Sequence, residues 1–182
     1  MSETNHEAID LLLAQHRQIR VALDEVRSSS GSEKRARFAD LVRLLAVHET
    51  AEEQVVHPAV RRVLDDPELV ADRLHEEHEA KYLLNGLYKI GAEHKGFDTE
   101  FEVFADKVIA HLELEETEEF GLVLDLVPAD VRDRMAGAIA FAEFLAPPLD
   151  HSGAEVVAEP PLEVFDRLRN GLREWRRQAS IA

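Results

Sequence analysis

Two stretches of this chain carry residue types that could hold a metal ion. One is His48-Glu-Thr-Ala-Glu52-Glu53-Gln-Val-Val-His57-Pro58, and the other is His111-Leu-Glu-Leu-Glu115-Glu116-Thr-Glu-Glu-Phe120-Gly121. Each contains a His-x3-Glu-Glu unit set in an apolar pattern of helical period. Residues four apart on a helix lie about 40° apart on one face, so the imidazole and the carboxylate can grip one ion. Two such units predict a metal site inside a helical bundle. His16 adds a third imidazole where its own helix calls for an apolar residue.

A single histidine on an apolar face is ordinarily a core residue satisfied by hydrogen bonds. Five polar residues on apolar stripes, His16, His48, Glu52, His111 and Glu115, change that reading. Each would cost about 1–3 kcal/mol if buried unpaired, and a carboxylate more. A metal cluster satisfies all of them together. The chain has no cysteine, which excludes disulfides, iron–sulfur clusters and thiolate zinc sites. The remaining donors are imidazole nitrogen and carboxylate oxygen, a set suited to iron, manganese or zinc.

Two candidate positions stay open. On the third helix the apolar face runs through Val70, Ala80, Leu84, Leu87 and Gly91. At 100° per residue Glu77 falls on that face and His78 lies about 100° away, so Glu77 is the inward group and His78 its alternative if the helix turns locally. His75 faces outward. His57 would point about 180° from His48 on an unbroken helix, and a kink at Pro58 could swing it back. Glu49, Glu53 and Glu116 belong to solvated faces or to outer hydrogen bonding. His6, His94 and His151 have no facing partner in the pattern.

The elements that must position these residues are helices. A first helix is predicted from about Asn5 to Arg27, ended by Ser28-Ser-Ser-Gly-Ser32. A second carries Leu41, Leu45, His48, Glu52, Val55 and Ala59 on one stripe. Asp66-Pro67 reads as the cap of a third, and Thr99-x-x-Glu102 as a capping box opening a fourth. The spacing His16 to His48 is 48 − 16 = 32 residues and His78 to His111 is 111 − 78 = 33. Two similar helical hairpins, joined by short loops, predict an all-α, up-down-up-down four-helix bundle over residues 1–127. An additional helix over 128–145 would pack on it. A proline-rich linker at 146–161 would lead to a C-terminal amphipathic helix at 162–182, striped by Leu162, Phe165, Leu168, Leu172 and Trp175. That last helix would fold back on the bundle or meet a partner.

The chain's 37 acidic residues against 21 basic, net −16 over 182 residues, argue against nucleic acid and anionic membrane surfaces as partners. With no basic leader and no long apolar run at its start, a cytoplasmic protein is expected. Nothing points to an organic substrate pocket.

Leu12-Leu-Ala-Gln-His16-Arg, His48-Glu-Thr-Ala-Glu52-Glu-x4-Pro58 and His111-x3-Glu115-Glu, in that order, resemble the hemerythrin-like (HHE cation-binding) family over roughly the first 125 residues. The resemblance implies a non-haem di-iron centre in the bundle. His16, His48, His111 and the third-helix position would be terminal ligands, with Glu52 and Glu115 bridging. Members are linked to oxygen binding, to oxygen or iron sensing, and to handling of peroxide or nitric oxide. This chain departs from the oxygen carriers, which use five histidines and two carboxylates, and it has Gly121 where relatives commonly have proline. Extra oxygen donors favour ferric iron, whereas reversible carriage needs the ferrous state to persist.

The expected function is therefore a di-iron protein that reacts with hydrogen peroxide, oxygen or nitric oxide, as a monomer or homodimer, with peroxide-consuming or oxidase-like turnover left open. The alternative is a non-catalytic oxygen or iron sensor that signals through its C-terminal helix. A ferritin-like oxidase ranks below both, because those bundles use Glu-x2-His spacing.

Overall fold

In the computed structural model, residues 7–64, 68–146 and 159–179 are described, and all their regular structure is helical. The four long rods of a bundle come first: α1 (Glu7–Ser28); α2 (Gly31–Ala51) continued by α3 (His57–Val63); α4 (Glu68–Ile90); and α5 (Phe97–Leu114) continued by α6 (Phe120–Leu126). Two more helices follow, α7 (Ala129–Leu145) and α8 (Pro161–Ala179). The proposed Asp66-Pro67 cap lies outside the described residues.

The predicted stripes are buried as far as the two His-x3-Glu units, but past Glu52 the stripe slips, with Val55 only partly buried and Val56 fully buried. Along α1, Ile9, Leu12, Ile19, Leu23 and Val26 are at most 4% exposed, and His16 sits among them at 0%. Phe38, Phe97, Phe101 and Phe104 form a chain of ring contacts 5.3–6.0 Å apart. Phe38 precedes His48 by ten residues, about 15 Å of helix rise, so this aromatic cluster closes one end of the bundle at a distance from the histidines. It also explains a departure from the sequence reading. Burying Phe97 extends α5 back past Thr99, and the cap position is Gly96 with no side-chain hydrogen bond. The capping box does not form.

The larger surprise is in the two long rods. Each is interrupted by one π-helical turn, Glu52–Val56 in the first and Glu115–Glu119 in the second. The His57 N–H reaches back five residues to the Glu52 carbonyl, and the Phe120 N–H does the same to Glu115. A π-turn absorbs one extra residue, so His57 stands where the eighth residue after His48 would stand on a plain helix. That is about 80° away rather than 180°. The π-turn, not a proline kink, turns His57 inward. Pro58 contributes differently. It has no N–H to offer Gln54, and the Gln54 carbonyl accepts instead from the Arg176 guanidinium of α8.

α7 packs along α1 and α2, and α8 along α2, α4 and α7. The α8 stripe is turned onto this chain's own bundle: Val164, Phe165, Leu168 and Leu172 are buried, while Leu162 at the first turn is 49% exposed. α8 lies so close to α7 that a Cβ at Gly171 would meet Leu145 Cδ1 at 2.7 Å. No helix among the described residues is long and apolar enough to cross a membrane.

Candidate metal centre

The His-x3-Glu units of α2 and α5 face each other where the π-turns begin. Two groups of side chains could each hold an ion: His16, His48, Glu52 and Glu115, and Glu52, Glu77, His111 and Glu115. Within each group the ligand atoms lie within 4.8 Å of one another, and every member is buried. Glu52 and Glu115 belong to both. Both start a π-turn, the helical irregularity that recurs at functional positions.

Around Glu115 the imidazoles converge. Its Oε2 lies 3.3 Å from His16 Nε2 and 3.7 Å from His48 Nε2, and its Oε1 lies 3.0 Å from His111 Nε2. Glu52 Oε2 is 3.1 Å from His48 Nε2. Each of these histidines uses its other nitrogen outward. His16 Nδ1 donates to Glu116 (2.7 Å), His48 Nδ1 to the Gln15 amide oxygen (3.0 Å) and His111 Nδ1 to Glu76 (2.9 Å). The partners at those distances are acceptors only, which places a proton on Nδ1 and turns Nε2, the nitrogen a cation would take, toward the centre. The Gln15 orientation is fixed in turn, because its amide nitrogen donates to Glu143 of α7. Cations hold the other two outer carboxylates: Arg20 binds Glu116 and Arg73 binds Glu76.

Seven buried atoms of these two groups have no hydrogen-bond partner among the described residues: Nε2 of His16, His48 and His111, and both oxygens of Glu52 and of Glu115. Buried polar atoms are normally paired, and these seven are the inward donors of the two groups. The donor set therefore fits a bound cation pair. The same burial shapes their protonation. Burial and the charge of Glu115 push the Glu52 carboxyl well above the usual range. Burial opposes the charge on Glu115 as well, but His111, His16 and His48 hold it well below. Burial lowers His48 to about 4. His111 is also penalised by burial, yet Glu115 and Glu76 outweigh that and raise it to about 10. A cation entering this site would displace the protons of Glu52 and His111.

His57 and the third-helix position resolve differently from the other candidates. His57 is 2% exposed and lies between two carboxylates, with Nε2 2.5 Å from Glu77 Oε1 and Nδ1 3.0 Å from Glu119 Oε1. Burial disfavours its charge, but the bonds to Glu119 and Glu77 raise it to about 10. It stands beside the two groups rather than in them, holding Glu77. On α4, Glu77 is buried and His78 is exposed on the outer face, because α4 runs as an undistorted helix from Glu68 to Ile90 and no local turn rescues His78. His75 is exposed too, and His94 bonds the Gly96 N–H. Replacing His78 with Ala should leave zinc or cobalt affinity unchanged. Glu77→Ala should weaken the ion on the His111 side by more than about a hundredfold, the ceiling for an outer partner. Equal effects in a cobalt titration would return His78 to the site.

Gln15, Glu76, Glu119 and Lys81 escaped the sequence reading. Lys81, one turn beyond Glu77, has its ammonium 3.3 Å from Glu77 Oε2 and 3.3 Å from Glu49 Oε2, and it bonds Glu53. Its position at i+4 from Glu77 was a legible signal. Gln15 directly precedes His16, but only the α1–α2 packing brings it to His48.

Among curated proteins and among solved structures, nothing matches the chain. The profile of the hemerythrin HHE cation-binding domain matches residues 7–123, from the start of α1 through the second His-x3-Glu unit and into α6. With both units of that profile converging on one buried donor set, the chain belongs to the hemerythrin HHE cation-binding domain family.

Proposed function

We propose that this protein holds two iron ions among His16, His48, Glu52, Glu77, His111 and Glu115, and that the pair reacts with a small oxidant, hydrogen peroxide foremost, with oxygen and nitric oxide as the other candidates. The observation that carries the reading is the convergence of seven unpartnered buried donors on carboxylates common to both groups. Manganese or zinc would suit the same donors. Iron bound there would supply one-electron chemistry toward oxygen species.

The chain's own residues do the rest. Glu52 and Glu115, which belong to both candidate groups, would help to hold both ions. Glu116, Gln15 and Glu76 fix the imidazole tautomers through Nδ1. Phe120, buried with its ring 5.2 Å from that of His16, shields that side of the site from water. Glu77 brings a carboxylate where a histidine would leave the site less anionic, which favours ferric iron over reversible carriage. No side chain is placed as a separate nucleophile or general base.

The test is metal content of the aerobically purified protein together with its visible spectrum before and after peroxide. About two irons per chain and a charge-transfer band that changes as peroxide disappears are expected. Folded protein that stays metal-free after anaerobic ferrous loading would overturn the metal reading. A loaded protein with a stable band and no turnover would overturn only the peroxide reaction.

A second reading, a sensor that signals through α8, has one observation in its favour. Lys81 joins Glu77 to α8, since its ammonium lies 5.0 Å from the Phe165 ring and its partner Glu53 also bonds Arg169. Limited proteolysis of metal-free and iron-loaded protein separates the readings, and identical cleavage between residues 146 and 161 would sink this one.

A further inference from the structure

We infer that the cleft between α3, α7 and α8 binds a small carboxylate with an apolar body, at a site separate from the metal centre. The cleft holds about 260 Å³ and has Pro58, Met135 and Trp175 among its apolar walls. Three guanidinium groups stand around it, Arg62 from α3, Arg134 from α7 and Arg176 from α8. This chain is strongly acidic, at net −16, so three arginines from three helices around one apolar cleft are against its overall charge pattern. Guanidinium forks match a carboxylate bidentately, and apolar walls with a few convergent polar groups are what a small-molecule site requires. The volume is just below the usual range of such sites, which limits the ligand to a short aliphatic or single-ring body. A bare inorganic anion would leave the apolar walls unused.

Two of the arginines are available to an incoming ligand. Arg62 is exposed, and among the described residues Arg134 pairs with Asp130, 2.9 Å away in an exposed pair of the kind that contributes little. Arg176 already bonds the Gln54 carbonyl left without a donor by Pro58, so it supplies the field of a fixed cation. Pro58 is both a wall of this cleft and the neighbour of His57. A ligand there would sit one residue from the edge of the metal centre without touching a candidate donor.

Trp175 is the chain's one tryptophan, and it stacks on Phe141 at 5.1 Å, so its emission reports the cleft alone. The experiment is titration of the full chain, as purified, with octanoate, with 1-octanol as an uncharged probe of the same body. A saturable change in Trp175 emission with octanoate, absent with 1-octanol at equal concentration, is expected. The double variant Arg62→Ala/Arg134→Ala, whose positions are both exposed, should keep its circular dichroism and bind octanoate about tenfold more weakly. Equal responses to the two probes, an unchanged affinity in the double variant, or no saturation up to ~10 mM would each overturn the proposal. None of these results depends on whether iron is bound.

Discussion

Leucine at position 52 should abolish metal binding and at the same time make the metal-free protein more stable. Glu52 is completely buried, and neither of its carboxylate oxygens has a hydrogen-bond partner. Such a group carries most of its desolvation cost, about 1–3 kcal/mol, with only the neutral His48 ring at 3.1 Å beside it. Leucine has a similar shape and no polar atom, so Glu52→Leu should recover that amount, a rise of about 2–10 °C in midpoint for a chain of this length. Glu115 is equally buried but lies within 3.7 Å of three imidazoles. Glu115→Leu removes the carboxylate that the charged His111 and the other two imidazoles share at the centre, and should cost about 3–5 kcal/mol, as breaking a buried ion pair does. Both variants should lose metal, since each removes a carboxylate common to the two groups. Thermal unfolding of chelator-treated proteins, with metal titration alongside, checks the pair. A Glu52→Leu protein that melts below the parent would show that Glu52 has a structural partner. One that keeps both ions would remove it from the ligand set.

That opposite pair of outcomes could not be drawn from the sequence, although both residues could. Both His-x3-Glu units, the apolar stripe holding His16 and the inward position of Glu77 follow from a 100° step along an undistorted helix, and α1, α2, α4 and α5 are undistorted where those residues stand. The rule fails after Glu52 and after Glu115, because a π-turn leaves no mark in hydrophobic periodicity except a one-residue slip. That slip is why His57 looked misdirected and why Glu119 drew no reading at all. Gln15 was hidden for another reason. Its role depends on the packing of α1 against α2 and on Glu143 of α7, a contact between residues 128 apart, which no local pattern encodes. The start of α5 was misread because burial of Phe97 outweighed the capping preference of Thr99.

Methionine in place of Lys81 should produce the other large effect, and its size should depend on metal. In the metal-free protein the Lys81 ammonium faces Glu49, Glu53 and Glu77, and its side chain is only 10% exposed. Burial opposes its charge, but those three carboxylates outweigh burial and raise its pKa, so it stays charged throughout the working range. Removing it leaves three carboxylates crowded in a low-dielectric site, and Lys81→Met should cost about 3–5 kcal/mol. It should also loosen α8, whose Phe165 ring packs on the ammonium and whose Arg169 shares Glu53, so proteolysis near α8 should quicken. A cation bound beside Glu77 supplies positive charge to the same carboxylates. The destabilisation should therefore shrink in the loaded protein, and by linkage the variant should bind zinc or cobalt more tightly than the parent. Tighter binding with a smaller loss of stability would mean that Lys81 and the metal compete for Glu77, so that occupancy is felt at α8 through electrostatics. Weaker binding would mean instead that Lys81 holds Glu77 in its ligating position, and the competition account would be wrong.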